Sequence, residues 1–555
     1  MSSNKEVVRE GINPLVPGGS FLHDSPEEVF SPEKFDYSAR MMFDTAKAFA
    51  ENEVLPLLER LDKQEEGLMP SLVRNACELG FGGVDVPEKY GGLGLNKSVA
   101  VRILEALSVN GSFSTTIGVH TGVGQAPLVM FGNEEQKQKY LPPIVNGDWM
   151  GAYALSEPNS GSDALSLSAK AVREGNIYSL NGTKMWISNA KWANLFMTFA
   201  KINGEKFSCF LVERDFPGVS VSREEHKMGL KGSSTARLVL DDAKVPAENL
   251  LYKEGEGHKV AFNVLNIGRC KLAGMALGQC REALRQAVNY SKERKQFGKS
   301  ISSFGLVRDK LARMTALIFG VESALYRTTG LLDDVFAQVV VDSPKGVEQY
   351  RQAAEEYQIE CSLVKVLSTE VLDFCVDEAL QIHGGYGFTE EFPVARLYRD
   401  ARVMRIYEGT NEINRLFVFD RVFRKGLYAS GGRVRETLSG VVSNLLQRAV
   451  AEVFSDDKGT PSERKDTQEI KGAMADLILL LYAQQAVNAR LKNEVPNFLR
   501  MAGEYFIALS DAWAQSRIIE LNSRLGTNEH LEPHGDWKVG EDVAEAVLEL
   551  GGCAL

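Results

Sequence analysis

With 555 residues, a formal net charge of -11, 44% hydrophobic and 25% charged residues, the chain has the length for two to four domains and the composition of an ordinary globular protein. It lacks the basic surface that binding to a nucleic-acid backbone requires, so we expect no nucleic-acid partner. The seven cysteines form neither CxxC pairs nor Cys/His clusters at metal-ligand spacing. This pattern favours reduced thiols and predicts neither a disulfide framework nor a metal site.

The N-terminal residues and the longest apolar run bear on location. The first twenty residues have no continuous apolar segment and contain acidic residues, so we predict neither a signal peptide nor a transit peptide and expect a cytoplasmic protein. The apolar run 477–483 is shorter than the roughly 20 residues of a membrane span. We interpret it as a buried helix face, while peripheral membrane contact through the C-terminal region stays an alternative.

Hydrophobic periodicity divides the chain into an N-terminal extension (1–35) and four further regions. Helical spacing broken by glycine loops covers 36–150, and short alternating apolar segments cover 151–256. Helical spacing returns over 257–428, and a charged linker and two apolar helical segments follow within 429–555. We therefore predict an α+β protein that is mainly α, with a middle β domain, a helical domain on either side and an additional C-terminal helical domain.

Two glycine motifs make specific predictions. Asn181-Gly182 separates IYSL from KMWIS, which is typical of the two-residue turn of a β-hairpin. Gly384 and Gly385 follow STEVLDFCVDEALQI, whose apolar spacing is helical. Because a Rossmann fingerprint needs a strand before its glycines, we interpret these glycines as a helix end.

Four stretches combine residue types that carry chemistry, and each also has a simpler structural interpretation. AYALSEPNSGSDA (152–164) is either an ordinary turn or a loop around a polar ligand. Trp186 is either sheet core or a ligand contact. Arg294 in RKQFG lies at a basic helix end, where cations suit the helix dipole as well as a phosphate. Glu408 in RIYEGTNEINR is either a surface carboxylate at a helix start or a reactive one.

Together, ALSEPNSGSDALS, WIS, RKQFG, QIHGGYGFTEEFPVARLYRD and YEGT resemble the acyl-CoA dehydrogenase family in order and spacing, over residues 36–425. The region after 431, with NIGR and FGLVRDKLARM, is similar to the very-long-chain branch. The resemblance implies an N-terminal helical domain, a middle β-barrel or β-sandwich domain and a C-terminal four-helix bundle, with FAD between the last two. It also implies a homo-oligomer, most simply a dimer, because RKQFG reaches the neighbouring subunit's FAD in this family.

The resemblance also assigns contacts by position. The residues implied to border the flavin are Tyr153, Leu155, Ser156, Gly161, Ser162, Trp186, Ile187 and Ser188. Those implied to contact the pyrophosphate and adenine of the partner's FAD are Arg294, Gln296, Phe297, Gln381, Gly384 and Gly385. Thr410 and Glu412 complete the implied cofactor site. Substrate contacts are implied for Ser162, Asn266, Arg269 and Gly409.

The implied reaction is the α,β-dehydrogenation of a fatty acyl-CoA to trans-2-enoyl-CoA in β-oxidation. Flavin N5 accepts the β-hydride, and the α-proton needs a base, which an apolar pocket provides by raising the pKa of a carboxylate. Glu408, between Tyr407 and Gly409, matches the family's base. Two branches place the base beside the arginine that Arg269 matches, but that neighbour is Gly268 here, which leaves Glu408 as the matching candidate.

Chain length and electron acceptor are further expectations of the resemblance. Medium-chain members close the acyl pocket with polar side chains at positions that Thr115 and Val119 match, near Gly118. Small or apolar residues there favour long acyl chains. The expected acceptor is an electron-transfer flavoprotein. An acyl-CoA oxidase that uses O₂ and a non-catalytic assembly or scaffold protein on the same fold stay as alternatives.

Overall fold

The computed structural model describes residues 12–340, 343, 345–428, 437–453, 467–534 and 536–552. In these ranges helices surround one large mixed β-sheet, which confirms the mainly α fold class. The helices before the sheet are α1 (Tyr37–Phe49), α2 (Leu58–Asp62), α3 (Leu68–Glu78), α4 (Lys97–Leu107), α5 (Gly111–Thr121), α6 (Ala126–Phe131) and α7 (Glu134–Val145).

Polar side chains define where these helices begin. Asp36 accepts a hydrogen bond from the Ala39 N–H (2.8 Å) at the start of α1, and Asn110 accepts one from the Phe113 N–H (2.9 Å) at the start of α5. Each satisfies an N–H that has no partner within the helix. α5 then lies with Gly118 against the C-terminal bundle.

The middle region contains the sheet. Its strands are β1 (Gly151–Ala154), β2 (Lys170–Glu174), β3 (Ile177–Ser188), β4 (Leu195–Ile202), β5 (Lys206–Glu213), β6 (Val219–Val221), β7 (Thr235–Pro246) and β8 (Leu250–Leu251). The order along the sheet is β6-β7-β3-β2-β4-β5-β8, and β1 pairs in parallel with β4. Most pairs are antiparallel, so sequence-adjacent strands form much of the sheet.

The predicted hairpin at Asn181-Gly182 is wrong. Both residues lie inside β3, which runs through them and pairs with β7, with a register shift between Leu180 and Gly182. A Cβ at Gly182 would lie 2.7 Å from Ala169 Cβ, and the Asn181 side chain accepts the Asp242 N–H (2.9 Å). The Asn-Gly pair therefore forms a β-bulge and a close contact, two other uses of glycine in strands.

The C-terminal bundle follows the sheet. Its elements are α8 (Gly257–Glu293), the short strands β9 (Lys295–Gln296) and β10 (Lys299–Ser300), α9 (Gly305–Phe336), α10 (Gly346–Glu356), α11 (Gln358–His383), α12 (Pro393–Ala401) and α13 (Asn411–Arg424). α11 ends at Gly384 with φ +59°, which confirms the helix-end interpretation of these glycines. The helical pattern over 346–383 proves to be two helices that meet at Tyr357.

The remaining helices are α14 (Leu438–Val453), α15 (Gln468–Leu491), α16 (Asn497–Leu525) and α17 (Val539–Glu549). They are packed onto the bundle and share its hydrophobic core. Phe21 of the N-terminal extension stacks edge-on against Tyr482 of α15, with ring centres 4.8 Å apart. The extension and the added helices thus stabilise the bundle together, while the domain boundaries themselves stay predictions. The predicted charged linker lies mostly outside the described residues.

Two further expectations concern the described residues. The six described cysteines are buried free thiols. A search of the described helices for one long and apolar enough to cross a membrane finds none.

Candidate active site

Glu408 lies in the turn that leads into α13. Thr410 caps that helix by accepting the Ile413 N–H at 3.2 Å, so this threonine is the cap and Glu412 lies in the first turn. Glu408 itself has φ +57° and Gly409 has φ +79°. The left-handed region costs a non-glycine residue about 1–2 kcal/mol, and such strain concentrates at functional sites. The turn directs the Glu408 carboxylate towards α8.

The carboxylate faces Gly268 of α8. A Cβ built on Gly268 would lie 3.1 Å from Glu408 Oε2, so the glycine leaves this side of the carboxylate free. Glu408 Oε2 is buried and accepts no hydrogen bond from the residues that the structure describes. In the same described set, the Glu408 N–H has no acceptor. A reactive oxygen and an amide donor are therefore both available at this turn.

Arg269, the neighbour of Gly268 on α8, is buried and hydrogen-bonds to the turn that contains Glu408. Its Nη1 donates to Asn266 Oδ1 (3.0 Å) and Ser362 Oγ (3.2 Å), and its Nε donates to the Glu408 carbonyl (3.4 Å). Asn266 thus orients Arg269, and its amide nitrogen donates to the Ala354 carbonyl. In this structure both residues therefore help to position the turn, and the substrate contacts that the resemblance implies for them stay predictions.

Lys365 of α11 holds the same turn from the other side. Its buried Nζ donates to the Gly409 carbonyl (2.8 Å) and to Asn411 Oδ1 (2.7 Å). Asn414 of α13 also donates to the Gly409 carbonyl (2.7 Å). The Gly409 carbonyl is therefore occupied by two donors from the protein.

Burial sets the acid–base properties of this site. It raises the pKa of the Glu408 carboxyl to about 7, against the lowering effect of the Arg269 and Lys365 charges. Burial also lowers the pKa of the Lys365 ammonium to about 7. A carboxylate with a pKa near 7 suits proton abstraction at neutral pH.

A cleft of about 410 Å³, including space open to solvent, begins beside Gly268. It lies between α8, α6 and the end of α5 and continues to α4 and α10. Its apolar lining includes Val264 and Ile267 of α8 and Val129 and Met130 of α6. Small-molecule sites are likewise mostly apolar with a few polar groups.

The predicted flavin-border residues gather at the start of the sheet. The Met185 N–H donates to the Ser156 carbonyl (2.9 Å), which joins the loop 155–163 to β3. Trp186 has φ +63°, lies at a register shift and is 56% exposed. Ile187 points into the core and is 2% exposed, so its side chain cannot contact a ligand on that face.

A buried ion pair that the sequence analysis missed fixes this loop. Lys184 Nζ donates to Glu157 Oε1 at 2.7 Å. Glu157 also accepts the N–H groups of Ser168 (2.6 Å) and Ala169 (3.1 Å). These bonds leave Gly161 and Ser162 exposed at the loop tip. Tyr153 of β1 connects the sheet to α8 by donating to the Ala261 carbonyl (3.4 Å).

The residues predicted to reach a partner's cofactor form a separate exposed surface. Phe297 lies at the tip of the β9–β10 turn, has φ +52° and is 93% exposed. The Arg294 guanidinium lies 5.3 Å from the Tyr386 ring, which joins this turn to the 384–388 segment. Gln296 and Gln381 are exposed, and a Cβ on Gly384 or Gly385 would meet no atom within 4 Å. The Arg294–Tyr386 contact thus joins the β9–β10 turn to the 384–388 segment, and Phe297 packs edge-on against Phe304 with ring centres 6.0 Å apart.

Comparison with known proteins identifies the class. The description "Acyl-CoA dehydrogenase, N-terminal domain" matches residues 37–148, the middle-domain description matches 152–243 and the C-terminal-domain description matches 255–423. A probable acyl-CoA dehydrogenase of Bacillus subtilis is 46% identical over 414 residues, which cover 74% of this chain and 70% of that protein.

Two further similarities extend over most of the chain. The mouse mitochondrial very long-chain specific acyl-CoA dehydrogenase is 31% identical, over 94% of this chain and 84% of its own. A crystal structure of an acyl-CoA dehydrogenase complexed with FAD from Bacillus anthracis is 38% identical with a TM-score of 0.90, over 97% of this chain and 99% of that one.

The chain belongs to the acyl-CoA dehydrogenase family. It is accordingly an oxidoreductase that acts on CH–CH bonds, and relatives named very long-chain specific are among its matches. The expectations of family, fold and enzyme class are confirmed. The sequence analysis missed Lys365, although a lysine inside the apolar helix ECSLVKVLSTEV was a visible signal, because a buried cation needs a partner.

Proposed function

We propose that Glu408 removes the α-proton of a fatty acyl-CoA bound in this cleft, in a dehydrogenation that yields trans-2-enoyl-CoA within β-oxidation. One observation carries the proposal: Glu408 Oε2 is buried, has no hydrogen-bond partner within the described residues, and faces a glycine on α8. The bound FAD supplies the acceptor for the β-hydride.

FAD is the cofactor of this chain, as it is of the similar Bacillus anthracis protein, whose structure is a complex with FAD. The residues present fit it. Trp186 offers an exposed ring beside the Ser156 loop, and Gly161 and Ser162 leave backbone accessible at the loop tip. We propose that these residues border the isoalloxazine ring. Ile187 contributes its backbone, because its side chain is buried.

The remaining steps follow from the residues at the turn. Arg269 and Lys365 hold the Glu408 and Gly409 carbonyls, so the carboxylate keeps one position while it receives the proton. The free Glu408 N–H is a donor for the thioester oxygen, on which negative charge develops as the α-proton leaves. General-base action of this kind contributes about 10²- to 10⁴-fold.

We further propose a homodimer in which Arg294, Gln296 and Phe297, with Gln381, Gly384 and Gly385, contact the partner's FAD. The support is the exposed surface that they share. Thr410 and Glu412 follow Glu408 closely in the sequence, and we propose that they complete the cofactor site. The acceptor is an electron-transfer flavoprotein in the cytoplasm, and the preferred substrates are long-chain, as the name of the mouse relative suggests.

The test is anaerobic reduction of the purified flavoprotein by palmitoyl-CoA, octanoyl-CoA and butyryl-CoA. We expect rapid loss of flavin absorbance in the wild type and at least about a 100-fold slower loss in Glu408→Gln with FAD still bound. Unchanged reduction in that variant would remove Glu408 as the base. Reduction by no acyl-CoA would favour the scaffold alternative, and steady peroxide formation in air without an added acceptor would favour the oxidase.

A further inference from the structure

The added helix α15 is connected to the Glu408 turn through a series of polar contacts. The residue on α15 is Asp476, whose side chain is 13% exposed. Asp476 Oδ1 accepts a hydrogen bond from Arg415 Nε of α13 (2.6 Å), and Asp476 Oδ2 pairs with Arg517 Nε of α16 (2.9 Å). The two oxygens of one carboxylate therefore bind two cations, one from the bundle and one from the added helices.

Arg415 joins α15 to α11. While its Nε faces Asp476, its Nη1 and Nη2 bind the two oxygens of Glu370 of α11, at 2.7 Å and 2.9 Å. A guanidinium that binds both oxygens of a carboxylate is held in one plane with it, and such bonds are the strong ones among hydrogen bonds. Carboxylates on two different helices thus fix the orientation of Arg415, one helical turn after the first residue of α13.

Glu370 in turn orients Asn411, the first residue of α13. Glu370 Oε1 accepts a hydrogen bond from Asn411 Nδ2 (3.1 Å), and Thr369 Oγ1 accepts another from the same nitrogen (3.1 Å). Because a carboxylate can only accept, it requires the amide nitrogen on its side and leaves Asn411 Oδ1 for a donor. That donor is Lys365 Nζ (2.7 Å), which also binds the Gly409 carbonyl (2.8 Å). The α15 network, as it is called here, consists of Asp476, Arg415, Glu370, Asn411 and Lys365.

We propose that Asp476 is a positioning residue for the proton abstraction, because the α15 network keeps the Lys365 ammonium on the turn that carries Glu408. This inference rests on the proposed function of Glu408. It gives the added helices a part in the reaction besides their packing on the bundle. Asp476 touches neither the turn nor Glu408, so its effect passes through the other members of the network.

The pH dependence of flavin reduction distinguishes positioning from a direct charge effect. The charged groups that act on the Lys365 ammonium are Arg269, Glu408, Glu370 and Glu412. Removal of a carboxylate would by itself favour the ionised form of Glu408 and lower its pKa. Displacement of the Lys365 ammonium has the opposite sign, because that cation lowers the pKa of Glu408. An upward shift in a variant of Asp476 therefore reports the network and not the lost charge.

Asp476→Ala is the direct test, measured as anaerobic flavin reduction by saturating palmitoyl-CoA between about pH 5.5 and 8. We expect the midpoint of the pH profile to rise by about half a unit, which is a roughly threefold slower reduction at pH 6. The affinity for palmitoyl-CoA should stay within about twofold of the wild type. Asp420→Ala is the matched control, because Asp420 pairs with Lys471 between the same two helices (2.9 Å) but lies towards the end of α13. Its profile should match the wild type.

A double-mutant cycle with Lys365→Met tests whether the effect passes through Lys365. If it does, Asp476→Ala produces no further shift once residue 365 is methionine, whereas effects of independent sites add. Full additivity of the two substitutions would overturn the proposal. Equal profiles of Asp476→Ala and Asp420→Ala would overturn it as well.

Glu408→Gln, measured in the same series, separates this proposal from the proposed function. Loss of reduction in Glu408→Gln together with a wild-type profile in Asp476→Ala overturns only the positioning role. Unchanged reduction in Glu408→Gln overturns both. If the alanine variant does not fold, Asp476→Asn takes its place. The same upward shift is expected there, because a neutral amide cannot replace the charge-assisted bonds to two guanidiniums, and an unshifted or lowered midpoint overturns the proposal.

Discussion

Glu322 is a buried glutamate of the helical bundle and Glu408 is a half-buried one whose Oε2 is buried, and their environments move the carboxyl pKa in opposite directions. Burial dominates at Glu408 and raises its pKa to about 7. At Glu322 of α9 burial acts in the same sense, but the charges of Arg281, Arg490 and Arg102 outweigh it and lower the pKa. The number of paired cations, and not burial, decides which carboxylate is reactive.

The two regions serve different ends. Glu322 belongs to a network of three carboxylates and three guanidiniums, in which Arg490 of α15 also binds Glu33 of the N-terminal extension (2.6 Å). This network fastens the extension and the added helices to the bundle. At Glu408 the nearest cations, Arg269 and Lys365, bind backbone carbonyls of the turn and leave Oε2 free. The first arrangement stabilises the fold, whereas the second keeps a base available.

The largest effect should come from breaking the ion-pair network around Glu322. Glu322→Gln removes the carboxylate that pairs with both Arg281 and Arg490. Loss of one partner of a buried ion pair costs about 3–5 kcal/mol of stability. We expect that loss in the free energy of unfolding, measured by urea denaturation, while flavin reduction per bound flavin at 25 °C stays near the wild type.

Arg524→Gln is the matched control for that variant, because it removes an exposed pair with Glu520 and should cost less than about 1 kcal/mol. If the two variants lost the same stability, the ion-pair network around Glu322 would not be what stabilises the packing of the added helices.

The second largest effect should be on the pH dependence of activity, which distinguishes Glu408 from Glu322. A base whose folded pKa is raised to about 7 is protonated below that pH, so activity is lost as pH falls and gained as pH rises through 7. We expect kcat/KM to increase about 30-fold between pH 5.5 and 8. Initial rates in buffers of constant ionic strength measure this, and a flat profile over that range contradicts an unpaired Glu408.

Gly268→Ala narrows the space at the unpaired carboxylate. Its Cβ would lie 3.1 Å from Glu408 Oε2, so we expect kcat/KM to fall about tenfold. Alanine is about 0.5–1 kcal/mol more favourable than glycine inside a helix, so the stability should not fall. Gly472→Ala in α15, where a Cβ meets no atom within 4 Å, is the control and should gain stability with unchanged kinetics. Wild-type activity in Gly268→Ala would show that the carboxylate does not need this space.

The smallest effect concerns the cation that holds the turn. The Lys365 charge lowers the pKa of Glu408, so Lys365→Met should raise that pKa. The rise in activity should then move to higher pH by about half a unit, which is a roughly threefold loss of activity at pH 6. Lys365→Gln keeps a donor for the Gly409 carbonyl without the charge. It should show the same pH shift with a smaller loss at high pH. An unshifted profile in both variants would confine Lys365 to a structural role.

Much of the fold followed from sequence patterns, because they are local. The helix end at Gly384 and the change from helical to alternating spacing after residue 150 both depend on residues close in the chain. The pattern failed at Asn181-Gly182, where a turn motif lies inside a strand. Its neighbours across the sheet, Ala169 and Asp242, decide that conformation, and their contacts are not visible in a local pattern.

The sequence by itself determined the family, the order of the helical and β regions and Glu408 as the residue to examine, because these depend on motifs of adjacent residues. Only the tertiary structure decided that the carboxylate is unpaired, that Gly268 faces it and that Lys365 and Arg269 hold its turn. It likewise placed Lys271 against Asp85, 186 positions away. Such pairings depend on how distant helices pack, and the packing sets burial, charge and hence reactivity.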